Sequence, residues 1–186
     1  LFRSYTMTRS NALRHAGSTQ VKPPYTSRSN HQDPTSPETG ARETLAALAA
    51  DSRVHQAVLS GNLRDVSRIK LEVFGLDSYL DLASSAYGDD HTERSELVAI
   101  ARHRATERTA ATFDKQHTVL IGDTPHDVEA ALTAGVRIIA VASGKSDETE
   151  LAQAGAPVTV SDLTDTATIV QLVTDGLQTS AGQPRT

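Results

Sequence analysis

The stretch HTVLIGDTPHDVEAALTAGVRIIAVASG, residues 117–144, constrains the fold more than any other part of the 186-residue chain. The apolar run VLIG meets Asp123, an alanine-rich helical segment follows and closes at Gly135, and a second apolar run, RIIAVAS, comes next. Unbroken apolar runs mark strands buried on both faces. Two such strands joined by a helical crossover run parallel, because a tight hairpin joins only antiparallel neighbours. The stretch therefore reads as a β-α-β unit of a sheet covered by helices on both sides.

The same alternation extends from residue 38 to about 175. PETGARETLAALAADS places Ala41, Leu45, Leu48 and Ala49 on one helical stripe, and VHQAVLSGN is a short strand ending before Gly61. LRDVSRIKLEVFGL repeats apolar residues at Leu63, Val66, Ile69 and Val73, with Gly75 as its stop. A short strand in DLASSAY and a long helix in TERSELVAIARHRATERTA precede VLIG, and DETELAQAG, APVTVSD and DTATIVQLV add helix, strand and helix. Five strands alternating with helices predict one doubly wound α/β domain over 38–175. Residues 176–186 read as a disordered tail. The first forty residues hold nine apolar, five basic and two acidic residues among Ser, Thr, Asn and Pro. Such a segment cannot offset its ordering entropy by burial, so 1–37 is expected to be disordered or foreign to the fold. Met7 lies inside the chain, which begins at Leu1, so a fragment or remnant is expected.

With no cysteine, disulfides and thiolate chemistry are excluded, and any metal must be held by oxygen or imidazole. A net charge of -5 argues against nucleic acid as a partner, and no apolar run reaches the roughly 20 residues of a membrane span. No apolar core of a secretory signal is present, and the expected location is cytoplasmic.

Ligands of open α/β sheets bind beyond the carboxyl ends of the strands, where Asp123 stands. The helix starting near Pro125 turns its free N–H groups and positive dipole end to the same rim and favours an anion there. Asp123 and Asp127 share that rim, and a hard divalent cation would relieve their repulsion. The alternative reading of the spacing is a helix cap at Asp123 or Thr124 with Asp127 as a first-turn acid.

The string VLIGDTPHDVEAALTAGVRIIAVASG resembles the fourth motif region of the haloacid dehalogenase-like hydrolases. VLSGNLRDVSRIKLEVFGLDSYLDLASSAYGDD is similar to the second motif of their phosphoglycolate-phosphatase-like members. The resemblance implies a Rossmann-like sheet with strand order 5-4-1-2-3 and a Mg²⁺-dependent phosphatase acting on a small phosphorylated metabolite. It implies Asp123 as Mg²⁺ ligand, Asp127 as the acid supporting the metal, and Ser60 as a phosphate-binding hydroxyl with the Gly61 and Asn62 backbone beside it. Ser60 as a plain helix N-cap is the alternative. Arg94, in TERSELV, matches the third-motif cation; Lys70 falls inside a helix and Lys115 too close to the strand. His126 and His91 read as a first-turn surface residue and a loop residue.

The chain departs from the family at its first motif. The family ends its first strand in Asp-x-Asp, whose first Asp attacks phosphorus and whose second acts as acid and base. Asp33, in HQDPTSP, is the one aspartate before residue 51 and has neither a strand before it nor a partner after it. The sequence therefore predicts a core lacking the central first strand and the helical cap, inactive for want of the nucleophile. A non-catalytic remnant or partner-binding module is the alternative. At the vacant centre, direct pairing of QAVLS with VLIG, or an open gap, is expected in preference to insertion of LFRSYTM, which lacks a continuous apolar run.

Overall fold

The computed structural model describes residues 4–8, 39–143 and 146–175. In chain order the elements are β1 (Ser4–Thr8), α1 (Ala41–Ala49), β2 (Val54–Val58), α2 (Arg64–Phe74), α3 (Arg94–Thr109), β3 (Thr118–Gly122), α4 (Pro125–Ala134), β4 (Arg137–Val141), α5 (Glu148–Gln153), β5 (Thr159–Val160) and α6 (Thr166–Thr174), with a 3-10 turn at Asp77–Tyr79. They build one five-stranded sheet in the order β2-β1-β3-β4-β5. β3, β4 and β5 pair in parallel, β2 runs the same way, and β1 is antiparallel to both neighbours.

Period-two alternation divides the core between the two faces. Val119 and Ile121 of β3 and Ile139 and Val141 of β4 pack with Leu48 of α1 and Ile169 and Val173 of α6. Leu120, Ile138 and Ala140 turn the other way, onto Leu97, Val98 and Ala101 of α3 and Val128 and Ala131 of α4. All five residues of β3 are buried, as its unbroken apolar run requires.

The centre of the sheet corrects one expectation. β2 and β3 neither pair directly nor leave a gap: SYTMT lies between them, with Ser4 opposite Val58 on one side and Ile121 on the other. Disorder is likewise corrected for Ser4–Thr8, while Asp33 and the 176–186 tail fall outside the described residues. The physical reason is that the edges of two buried strands need partners. Each unsatisfied buried N–H or C=O costs about 1–3 kcal/mol, more than a weak apolar pattern forfeits. Tyr and Thr are also good strand formers, and an antiparallel strand needs no helical crossover to reach its place.

Two further differences concern the segment after β2. The strand expected in DLASSAY is reduced to a single parallel bridge between Leu59 and Ala86. There the Ser85 hydroxyl, not a backbone carbonyl, accepts from Val58 N at 2.8 Å, so a side chain takes over part of the ladder. In α2 the buried residues are Ser67 and Leu71, whereas Leu63, Val66, Ile69 and Val73, which mark this helix in the sequence, face solvent.

Candidate active site at the carboxyl rim of the sheet

Ser60 lies two residues past Val58 and Asp123 two past Ile121. Since Val58 and Ile121 both sit opposite Ser4, the two residues emerge on the same rim of the sheet, on either side of the amino end of β1. The anticipated gathering of the second and fourth motif regions is therefore present, with a reversed strand between them.

Arg94 opens α3 and reaches across to α4. Its Nη1 donates to Asp127 Oδ1 at 2.9 Å, and its Nη2 stands 3.2 Å from where a Cβ on Gly61 would lie. One guanidinium thus bonds to the helix after β3 and lies beside the loop after β2. Asp127 is fully buried and Arg94 is partly open to the rim. The other carboxylate oxygen, Asp127 Oδ2, accepts from Thr124 N at 3.2 Å and from Thr124 Oγ1 at 2.7 Å, closing the first turn of α4. Pro125 at the start of the helix fits, because its missing N–H is one of those left free in a first turn. α4 packs back tightly on its own strand: a Cβ on Gly122 would lie 2.5 Å from Asp127 Cβ. Asp123, between Gly122 and Thr124, is buried at the end of β3.

In the loop after β2, Ser60 Oγ accepts from Asn62 N at 3.1 Å, a local turn that shapes residues 60–62. A second loop supports it from beneath. Gly88 N donates to Asn62 O at 2.9 Å, and a Cβ on Gly88 would meet Gly61 O at 2.2 Å. That loop is fixed by Asp90, which accepts from Tyr87 N and receives two hydrogen bonds of 2.7 Å from Arg104. Arg64 also donates to Asp90 and lies 4.6 Å over the Tyr87 ring. The Arg104 hydrogen bonds hold the Asp90 carboxyl at about 2, against the opposing effect of burial. Asp89 accepts from Arg64 N and so caps α2.

Of the residues singled out in the sequence, Ser60, Gly61, Arg94, Asp123 and Asp127 share the rim, with exposed Asn62 closing the loop. Lys70 and Lys115 are exposed, Lys70 on α2 and Lys115 ahead of β3. His126 is exposed on the first turn of α4, and His91 Nδ1 accepts from Glu93 N within its loop. What the sequence reading missed is the support beneath the site, above all Asp90 with Arg104 and Arg64. The signal was the DDH loop, whose aspartates serve arginines.

Asp123 offers a hard oxygen donor of the kind Mg²⁺ takes, and that ion needs only one or two carboxylates when water and phosphate supply the rest. Asp127, with its oxygens engaged by Arg94 and Thr124, suits a supporting position rather than direct ligation. No group of three or more His, Asp or Glu suited to a metal occurs among the described residues.

The fold and rim define an α/β core of the Rossmann-like kind, and comparison with known proteins gives its family. The family model for haloacid dehalogenase-like hydrolase matches residues 6–141, so the chain belongs to that family. It is 29% identical over 100 residues to the "Putative pyrophosphatase PpaX" of Caldanaerobacter subterraneus subsp. tengcongensis, covering 54% of this chain and 43% of that protein. A crystal structure of a "predicted phosphatase" from Clostridium acetobutylicum superposes with a TM-score of 0.57 at 25% identity, over 71% of this chain and 59% of that one. A haloacid dehalogenase-like family hydrolase from Streptococcus pneumoniae shares the fold, with a TM-score of 0.54 at 11% identity over 70% of this chain and 56% of its own. The chain thus spans roughly half the length of these relatives. Among the described residues, no helix is long and apolar enough to cross a membrane.

Proposed function

We propose that the complete form of this core is a Mg²⁺-dependent phosphomonoester hydrolase of a small phosphorylated metabolite, and that the chain as it stands binds phosphate without turning it over. The observation that carries this is the pairing of a phosphate-suited rim with a central strand, SYTMT, that contains no carboxylate. The names of the pyrophosphatase and phosphatase relatives support the substrate class. A small-molecule partner, rather than nucleic acid, fits the net charge of -5.

Each residue has a physical task in this reading. Arg94 supplies positive charge to the equatorial phosphate oxygens, and buried Asp127 holds its guanidinium in place. The Ser60 hydroxyl and the Gly61 N–H donate to phosphate, while Asn62 N is already committed to Ser60. The free N–H groups opening α4 add the positive end of a dipole. Mg²⁺ held by Asp123 would neutralise phosphate charge. An in-line nucleophile is the missing part.

Two measurements test the proposal. Hydrolysis of an aryl phosphate in the presence of Mg²⁺ is expected to be the same for the chain and for Asp123→Asn. Asp123-dependent turnover would show that another residue attacks phosphorus. Inorganic phosphate with Mg²⁺ is expected to raise the melting temperature of the chain but not of Arg94→Ala. The absence of any such shift would favour the second reading, a partner-binding module that keeps the fold alone.

A further inference from the structure

The four exposed apolar residues Leu63, Val66, Ile69 and Val73 all lie on or at the start of one helix, α2, with exposures of 58, 41, 56 and 74%. The sole other large apolar residue exposed to this degree among the described residues is Leu132 of α4. At about 100° per residue, Val66, Ile69 and Val73 fall within a stripe about 60° wide, roughly 150° around the helix from the buried Ser67 and Leu71. The stripe therefore points away from the domain's own core. The spacing of three and then four residues is that of successive a, d and a positions of a coiled coil. In that register Asp65 and Glu72 take the g positions and Lys70 the e position. Parallel two-stranded pairing sets each g residue against the e residue five further along the partner helix, which matches Asp65 with Lys70 of a second copy, twice across a two-fold axis. An antiparallel pair would instead set like charges together. Both Asp65 and Lys70 are exposed, and neither forms an ion pair within the domain among the described residues. Arg68 and Glu72 engage each other at 3.7 Å on the outer side.

We propose that the α2 stripe is the interface of a parallel homodimer, seated by Val66, Ile69 and Val73 and registered by reciprocal Asp65–Lys70 pairs. A helix of eleven residues is about 16 Å long, and its contact falls below the roughly 1,200 Å² of a standard interface, so the dimer is weak and concentration-dependent. Because α2 starts directly after the 60–62 loop, parallel pairing brings the two candidate sites to the same end of the dimer.

Sedimentation equilibrium of the full chain over a wide concentration range is the test. A monomer–dimer equilibrium is expected, and Ile69→Glu, an exposed and therefore fold-neutral substitution, is expected to abolish it. Asp65→Lys should weaken the dimer about tenfold by setting like charges together, and the double variant Asp65→Lys, Lys70→Asp should restore it. A monomer at every concentration overturns the proposal, as does a dimer indifferent to Ile69→Glu. A dimer weakened by Asp65→Lys and weakened further by the double swap overturns the parallel register. A strict monomer in which Ile69→Glu speeds amide exchange across α2 assigns the stripe to another segment of the same chain and also refutes it.

Discussion

Arg94 Nη1 and Asp127 Oδ1 meet at 2.9 Å, tying the first turn of α3 to the first turn of α4 across the rim of the sheet. Because Asp127 is fully buried, its carboxylate depends on this cation and on Thr124. Arg94→Ala is expected to cost about 1–3 kcal/mol in urea unfolding, since it leaves a buried carboxylate short of a partner. Arg94→Lys should recover only part of that loss, because a point-like ammonium cannot reproduce the planar fork. An unfolding midpoint unchanged by Arg94→Ala would deny the pair a structural role.

Gly122→Ala should be costly although alanine is the smallest available side chain. Its Cβ would have to occupy space 2.5 Å from Asp127 Cβ, so α4 must move off β3. Overpacking of this kind costs about 1–3 kcal/mol. The expected signature is a lower melting temperature together with loss of any stabilisation by phosphate and Mg²⁺.

Acid stability should report on Asp90. Its folded-state carboxyl sits at about 2, below the ordinary value of about 3.9, chiefly because of Arg104. A depressed carboxylate contributes stability that is present above its unfolded value and is lost as pH falls through its folded value, here from about pH 4 down to about 2. Asp90→Asn should therefore be less stable than the parent at pH 6 and converge towards it near pH 2. Parallel stability curves for the two proteins across that window would contradict the assignment.

Thr6→Pro tests the central strand. Thr6 lies opposite Gln56 on one side and Val119 on the other, and proline in a central strand removes a ladder donor. Fast amide exchange at 54–58 and 118–122 in the variant, against strong protection in the parent, is the expected result. Equal protection in both would mean that β2 and β3 do not depend on β1.

The parts of the fold legible in the sequence are those written in local patterns. VLIG and RIIAVAS announced buried parallel strands, and Gly-Asp before a proline-led helix placed Asp123 at the rim. Asp123 and Ser60 could be brought together only through the resemblance of VLSGN and VLIGDTPHD to the family's second and fourth motifs, because the alternation of elements makes the strands parallel without fixing their order. β1 was not legible: its place is set by the hydrogen-bonding demand of β2 and β3, which SYTMT does not itself record. The α2 stripe was legible as a helix but not as to side, because periodicity gives an apolar face without saying what covers it. Asp90 was hidden for another reason, since its partner Arg104 is fourteen residues away on a different element.

The direction of β1 bears on where a carboxylate in the central strand could act. Ser4 stands at the rim that holds Ser60 and Asp123, and each later residue of the strand lies about 3.4 Å further from it, so Thr8 is about 14 Å away at the opposite edge. An aspartate at Thr8, the carboxyl end of the strand, would stand at the wrong end of the sheet. A carboxylate in this strand would reach the rim only from the strand's amino end, at Ser4, so the polarity of β1 decides which of its positions can serve the site.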